Sequence, residues 1–244
     1  MRVNTNEKFI AQKARMGKYS SIAGLAILTV GMVINFAKPE LFELSLLALV
    51  AGFGVASIGA YNVTRWVKPP RGDEVLTKSL KGLSNKYRLY NYTLPVPHVL
   101  LTPFGLYVLL CKKPDGEVTY RGQNRWNQKV DFRRRFRLFF GGEQPLGNPS
   151  QELVDEMGRL TKTLKRLLPD TDVPVSGAIV FTNKDVHLTT EAADTFPIME
   201  APDIKKFLID EQKQRENWRA ELLNQVADVL DAQVPAQADT KSTG

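Results

Sequence analysis

The residues best placed to do chemistry lie on two neighbouring predicted strands. Lys112 closes the second strand, and His98 opens the first. Metal-assisted hydrolysis of a phosphodiester needs oxygen ligands for the ion and a cation that organises charge at the scissile phosphate. Residues two apart in a strand share a face, so Leu110 points the same way as Lys112, but Leu110 has no oxygen to offer. Pro97, at the opening of the first strand, offers only its backbone carbonyl. The pattern predicts a lysine that could contact phosphate, without the carboxylates that would hold a metal.

Other residues could supply chemistry at the same place. Asp115 and Glu117 follow the lysine closely, and Asp131 lies in a segment predicted to be irregular, residues 122–147, so each is a candidate displaced ligand. The first two are more typical of a turn residue and an exposed strand residue. A thiol–imidazole pair between Cys111 and His98 is the alternative to a small core thiol and a strand-end histidine, and we favour the latter. With two histidines and one cysteine in the chain, a four-ligand zinc site is not expected.

Bulk composition indicates an anionic partner and a reducing compartment. The formal net charge is +7 and the isoelectric point about 9.4, which favours nucleic acid or an acidic lipid surface. The single cysteine excludes a disulfide framework within the chain.

Two uncharged, mostly apolar runs predict a membrane anchor. They cover residues 19–37 and 44–64, each about long enough to cross the roughly 30 Å hydrocarbon core as a helix. The short connection contains Pro39, so the runs predict a helical hairpin with both ends on one side. A cleaved signal peptide and a pair of soluble core helices are the alternatives. Small residues in the second run, including Gly52, Gly54 and Gly59, favour close packing within the hairpin.

The charged flanks predict the orientation of this hairpin. Five basic residues against one acid precede the first run, and three more follow the second, whereas the connection has a single lysine. Basic flanks stay in the cytoplasm, so we expect a two-span membrane protein with both termini cytoplasmic and the lipid bilayer as its partner.

The remainder predicts an α/β domain, a mixed sheet flanked by helices. An amphipathic helix over 73–83 precedes several short strands, a helix over 149–168, a strand over 173–182 and further helices over 202–209 and 214–231. We find no heptad run. The predicted segments are a basic cytoplasmic arm at 1–18, a transmembrane helical hairpin at 19–64, a linker at 65–72, a domain at 73–209, a C-terminal helix at 210–232 and a disordered tail at 233–244.

A basic stretch with interleaved aromatic residues covers 112–137. Such a stretch can neutralise phosphates and stack on bases, and it equally suits an anionic membrane surface. A solvated loop whose aromatic rings fill the core is the plainer alternative, and for Trp126 core packing is the first expectation. The candidate anion-binding residues are Lys112, Lys113, Arg121, Arg125, Arg133, Arg134, Arg135 and Arg137.

The element order and several short motifs together resemble the nuclease-related domain, the NERD family of the restriction-endonuclease-like, or PD-(D/E)xK, group. The resemblance covers about residues 71–208. It rests on Gly72-Asp73, on residues 97–101, on residues 104–112, on Gly116-Glu117-Val118 with Trp126, and on Asn148-Pro149. It implies a restriction-endonuclease-like sheet and, in active relatives, hydrolysis with Mg²⁺.

The chain departs from the family at the residues that the resemblance makes catalytic. The family's acids fall on Pro97 and Leu110, while Lys112 keeps the lysine and Asp73 stands for the first-helix glutamate. These last two are the candidate catalytic remnants. The family's glutamine falls near Gln151 or Glu152, and the sequence leaves that register open.

The sequence therefore predicts a membrane-anchored, NERD-like protein with a degenerate nuclease centre, no metal and no cofactor, binding DNA, RNA or anionic membrane through its basic stretch. The alternatives are an active nuclease that uses Mg²⁺ through displaced acids and a membrane scaffold that binds an unknown protein, through the helix at 214–231.

Overall fold

The computed structural model describes residues 1–130, 135–136, 138, 145–192 and 195–235. Helix α1 spans Glu7–Ala37 and α2 spans Phe42–Trp66, joined through a 3-10 turn at Pro39–Leu41. Both helices are long and apolar enough to cross a membrane, as predicted. Only 11% of the most apolar window of each helix is buried, so neither resembles a helix buried in a soluble core.

Small residues at seven-residue intervals join the two helices, a repeat that the sequence analysis missed. Gly17, Gly24 and Gly31 are buried on α1, and Ser45, Gly52 and Gly59 on α2. A period of 3.5 residues keeps one side of each helix on its partner. A Cβ on Gly24 would stand 2.4 Å from the backbone nitrogen of Ala56, so only glycine permits this approach. Gly54, predicted to pack within the hairpin, instead lies on its exposed side with nothing within 4 Å.

The main sheet has six strands in the order β1-β2-β3-β4-β7-β9. All pairs are parallel except the two that involve β3. The five strands other than β3 therefore end at the same edge of the sheet, here called the carboxyl edge. The strands of this sheet are β1 (Arg2–Thr5), β2 (Arg88–Asn91), β3 (His98–Thr102), β4 (Gly105–Lys112), β7 (Val175–Phe181) and β9 (Ile198–Glu200). This is the mixed sheet that the sequence predicts.

A second, three-stranded sheet lies beside the first, in the order β6-β5-β8. Its strands are β5 (Gly116–Tyr120), β6 (Trp126–Gln128) and β8 (Val186–Thr190). The segment 122–147, predicted to be irregular, thus contributes a strand, and β8 and β9 were not predicted either.

Helices cover both faces of the main sheet. On one face lie α3 (Gly72–Ser79) and α5 (Ile204–Gln214), and on the other lie α4 (Pro149–Leu167) and α6 (Ala220–Ala232). Alternate residues of β4 serve the two sides: Leu110 packs with the α4 cluster, and Leu109 with the α3 cluster. The alternation continues to the strand end and directs Lys112 towards α4.

Two predicted segments are parts of the domain. The arm predicted at 1–18 begins as strand β1, which pairs with β2, and continues directly into α1. The helix predicted to stand apart at 210–232 corresponds to the end of α5 and to α6, which buries Val226, Ala227 and Leu230 in the core. The apolar hairpin is therefore an insertion between two neighbouring strands of one sheet.

Candidate functional site

The candidate site lies at the carboxyl edge of the sheet, where open parallel sheets place their ligand crevices. β4 ends there with Lys112, and β3, which runs the other way, begins there with His98. Helix α3 begins at the same edge, because a Cβ on Gly72 would stand 3.5 Å from Nε2 of His98 and 3.6 Å from Sγ of Cys111. The structure thus brings both sequence-predicted remnants, Lys112 and Asp73, to one edge.

Lys112 is held by a carboxylate that comes from α4. Its Nζ donates to both oxygens of Glu152 at 2.7 Å, and only 11% of its side chain is exposed. Asn148 caps α4 by accepting from the backbone N–H of Gln151, which sets the first turn so that Glu152 faces β4. Gln151 itself points away and donates to Asp155. Of the two residues between which the sequence leaves the family register open, Glu152 is therefore the one that contacts Lys112.

A glycine makes room for this ion pair. Gly147 has a φ of +64°, a conformation that other residues rarely adopt. A Cβ there would stand 2.6 Å from Oε1 of Glu152 and 3.9 Å from Nζ of Lys112. The turn before α4 and the lysine–glutamate pair therefore fit each other.

The two strand positions at which the resemblance expects acids are occupied by apolar structure. Leu110 is 6% exposed and belongs to the core cluster beneath α4. Pro97 uses its backbone carbonyl to accept the N–H of Tyr92 at 2.7 Å. Neither position offers a free oxygen to an ion.

Asp73 is buried and engaged by Arg71. The guanidinium donates from Nε and from Nη2 to the two oxygens of Asp73, at 3.1 and 3.0 Å. This hydrogen-bonded partner raises the pKa of Arg71. Glu74 accepts from the backbone N–H of Arg71 at 3.0 Å, which is the glutamate half of a capping box at the start of α3. Asp73 thus helps to hold the entry of the helix.

His98 and Cys111 do not form an activated nucleophile. Nδ1 of His98 lies 2.8 Å from Oδ1 of Asn91, which requires the proton on Nδ1. Burial lowers the pKa of His98 to about 4, and desolvation raises the pKa of the Cys111 thiol. Both groups are therefore neutral near pH 7, as a structural pair would be.

Glu156 is a site residue that sequence reasoning missed. It lies one turn after Glu152 on α4 and is 7% exposed. Its Oε1 is 3.7 Å from Nη2 of Arg159, and its Oε2 makes no hydrogen bond within the described part of the chain. Burial raises the pKa of Glu156 to about 7, and the neighbouring Glu152 adds to that effect. Arg159, Arg65 and Lys112 oppose it.

A signal for Glu156 was present in the sequence. Buried positions on α4 fall at 149, 150, 153, 156, 160 and 164, so a glutamate interrupts the apolar side of an amphipathic helix. The apolar spacing of this helix predicts a buried side of Leu153, Met157, Leu160, Leu164 and Leu167, but Met157 and Leu167 are only partly buried. Spacing alone did not separate 156 from 157.

Aromatic rings connect the candidate site to the base of the apolar hairpin. Phe9 of α1 and Trp66 of α2 have ring centroids 5.5 Å apart, and Trp66 lies 5.0 Å from Tyr92. Tyr92 in turn meets the ring of His98 at 4.9 Å. The candidate site and the hairpin therefore meet at the same edge.

The basic stretch does not form one continuous surface over the described residues. Lys112 is taken by Glu152, Arg121 pairs with Glu191 at 3.5 Å, and Lys113 donates to the backbone carbonyl of Pro70. Arg125 and Arg135 are exposed. Arg133, Arg134 and Arg137, together with the candidate ligand Asp131, lie outside the described residues. Of the other two displaced-ligand candidates, Glu117 is an exposed strand residue paired with Lys129 at 3.3 Å, and Asp115 is partly buried in the connection between β4 and β5.

Comparison with known proteins agrees with the resemblance seen in the sequence. Residues 70–182 match the family model described as the nuclease-related domain, NERD. A search of curated proteins and a search of solved structures found no match. The matched range begins just after α2 and ends just after β7, and it contains Asp73, Lys112 and the whole of α4. Behind two long apolar helices, the chain therefore carries a nuclease-related domain.

Proposed function

We propose that this chain is a membrane-anchored nuclease-related domain that has lost metal-dependent hydrolysis. The observation that carries the proposal is the state of Lys112. Its ammonium is buried and held by both oxygens of Glu152, while the neighbouring strand positions hold Leu110 and Pro97. A lysine bound in this way is not available to a scissile phosphate.

The family implies Mg²⁺, and the residues at this edge do not fit it. Magnesium needs carboxylate or water oxygens in octahedral geometry. Within the described ranges, no group of three or more His, Cys, Asp or Glu side chains could hold a metal ion. Asp73 is engaged by Arg71, and Glu152 by Lys112. These two carboxylates therefore already have cationic partners.

One observation favours the active-nuclease alternative. Helix α4 brings the carboxylate of Glu152 onto Lys112 and buries that of Glu156 one turn further along, although no carboxylate comes from β3 or β4. If a displaced site works, it uses these two residues. Purified full-length chain should then cleave DNA or RNA with Mn²⁺ or Mg²⁺, lose that activity on chelation, and lose it again in Glu152→Gln and in Glu156→Gln. Under the main proposal, no metal-dependent cleavage is found in any of the three proteins.

Anchoring places the domain on the side of the basic flanks. Because β1 lies in the domain's sheet, the residues before α1 and the domain after α2 share one side of the bilayer. The basic flanks favour the cytoplasm for that side. Cysteines introduced singly at Glu40 and at Lys86, each in a chain whose own Cys111 is changed to Ala, test this orientation. In sealed vesicles with the cytoplasmic face outside, an impermeant maleimide should label position 86 and not position 40.

The binding function that we propose for the domain is contact with nucleic acid or anionic lipid through the basic stretch. The exposed guanidiniums of Arg125 and Arg135 support it. Counterion release makes such binding fall steeply with salt. The double change Arg133→Glu with Arg135→Glu should weaken binding of the full-length chain. The control is Lys78→Glu with Lys86→Glu, which removes two exposed cations between the last turn of α3 and the start of β2 and should not weaken binding. Equal binding by both variants would remove the basic stretch from the proposal.

The scaffold alternative gains nothing from α6. The side of that helix with Val226 and Leu230 packs into the domain core, and Asp231 at its end bonds to β2. Its apolar face is therefore already used.

A further inference from the structure

The base of the hairpin carries basic side chains at the depth where lipid headgroups would lie. Gly17 packs against Val63, and Ser21 against Gly59. Tyr19, midway between Gly17 and Ser21, is therefore level with Tyr61, midway between Gly59 and Val63. Tyrosine rings favour the boundary between hydrocarbon and water. Tyr19 is 67% exposed and Tyr61 36% exposed, as residues that face this boundary would be.

Three cations lie next to this boundary, on the side of the domain. The two helices run in opposite directions, so the pairing of Gly17 with Val63 extends two residues towards the domain to place Arg15 of α1 level with Arg65 of α2. By the same pairing, Lys18 is level with Asn62. Arg15 and Lys18 are exposed, and Arg65 is partly exposed. Within the described part of the chain, none of the three forms an ion pair with a carboxylate. Arg65 donates to the hydroxyl of Tyr61 at 3.0 Å and lies over the ring of Trp66.

The space between this boundary and the domain fits one headgroup layer. Tyr61 and Trp66 are five residues apart on α2, which is about 7.5 Å at 1.5 Å per residue. Trp66 is already packed against Tyr92 of the domain. A headgroup layer is roughly 5–8 Å thick on each side of the bilayer. With the hairpin across a bilayer, the phosphate groups of that leaflet would lie beside the three cations.

We propose that Arg15, Lys18 and Arg65 form a binding surface for anionic phospholipid headgroups. The proposal rests on the membrane anchoring proposed above, and it goes beyond that proposal by naming the lipid class and the residues. The net positive charge at this level favours a headgroup with net negative charge over a zwitterionic one. These three residues are not part of the basic stretch at 112–137.

Lipid selection by the full-length chain tests the surface. The chain is reconstituted into nanodiscs with equal amounts of phosphatidylglycerol and phosphatidylcholine, and the lipids that remain bound after transfer to detergent are counted by native mass spectrometry. Wild type should retain phosphatidylglycerol in preference. The triple variant Arg15→Gln, Lys18→Gln and Arg65→Gln should lose that preference, by about fivefold for each charge removed, which corresponds to about 1 kcal/mol per basic residue at an anionic surface.

A matched variant removes the same charge elsewhere. Lys78 is in the last turn of α3, and Lys81 and Lys86 lie between α3 and β2. All three are exposed, and their change to Gln should leave lipid preference unchanged. If loss of the Arg65 contact with Trp66 impairs folding, Arg15→Gln with Lys18→Gln gives the same test with two charges. Equal retention of both lipids by wild type, or unchanged preference in the variants at 15 and 18, overturns the inference. Failure of the wild-type chain to insert would instead refute the membrane anchor.

Discussion

The hairpin and the carboxyl edge of the sheet are held together by opposite kinds of contact. Between α1 and α2, buried glycines and Ser45 allow the two backbones to touch, and the hydroxyl of Ser45 donates to the carbonyl of Gly31. At the carboxyl edge, buried or half-buried charges from separate elements meet, and Lys112 and Glu152 are 40 residues apart.

The difference shows which kind of contact a local sequence pattern can predict. Glycines at seven-residue intervals are a local pattern, and geometry alone decides whether the helices close. An ion pair between a strand end and a helix start forms only once the sheet and the helix have packed together. Neither residue's neighbours in the sequence indicate which distant residue is its partner. The hairpin should therefore be sensitive to size, and the carboxyl edge to charge.

The largest effect on stability is expected when a side chain is added to a buried glycine of the α1–α2 hairpin. In Gly24→Leu the first added carbon would stand 2.4 Å from the backbone nitrogen of Ala56, so the helices must separate. We expect a loss of about 3 kcal/mol or more in the free energy of unfolding in mixed micelles. Gly54→Leu adds the same side chain where nothing lies within 4 Å and should cost little. Equal losses in both variants would show that the glycine contact does not hold the hairpin.

At the carboxyl edge, the buried carboxylate of Glu156 should make the stability of the chain depend on pH. The pKa of Glu156 is about 7 in the folded chain, above its unfolded value of about 4.3, so the folded state binds the extra proton between these values. Stability therefore falls as pH rises from about 4.3 to 7, and the deficit persists above pH 7, up to about 4 kcal/mol.

Glu156→Gln removes this titration. The variant should be more stable than wild type at pH 8, and its stability should change less between pH 5 and pH 8. Denaturant unfolding at several pH values measures the difference. Asp155→Asn, one residue away and exposed, is the control that should keep the wild-type slope. A wild-type slope in Glu156→Gln would mean that the titrating group lies elsewhere.

The ion pair at Lys112 should show an asymmetric response. Glu152→Gln leaves the ammonium of Lys112, 11% exposed, without its charged partner, and we expect a loss of about 2 kcal/mol. Lys112→Met should cost less, because the side chain of Glu152 is 46% exposed and can be hydrated. The double variant should show a coupling energy of about 1 kcal/mol in a thermodynamic cycle. Strictly additive losses would mean that the pair contributes no interaction energy.

Sequence reasoning succeeded where structure is set locally. The hairpin of β3 and β4 is read from two apolar runs around Pro103 and Gly105, and α4 from its Asn148 cap and apolar spacing. Side chains alternate in a strand, so the sequence also predicts that Leu110 and Lys112 point the same way. In β4 both side chains point towards α4.

The failures share one cause. Strand β1 has four residues and no apolar alternation, and its partner β2 lies more than 80 residues along the chain, beyond the hairpin. The partner of Lys112 and the burial of Glu156 likewise depend on how α4 lies against β4. A helical wheel identifies the buried side of a helix, but it does not specify which of two adjacent residues meets a distant lysine.

The smallest effect tests whether the two regions are independent. Asp231 at the end of α6 accepts from Tyr90, Asn4 and Arg88, and so ties α6 to β1 and β2. Asp231→Asn should cost about 1 kcal/mol, the typical net worth of a hydrogen bond, and should speed amide hydrogen exchange in β1. Asp228→Asn, exposed on the same helix, should do neither. If the hairpin is held only by its glycines, amide exchange around Gly24 stays at the wild-type rate even though β1 leads directly into α1. Faster exchange there would show that the sheet and the hairpin form one cooperative unit, and that contacts at the end of α6 reach the glycine interface.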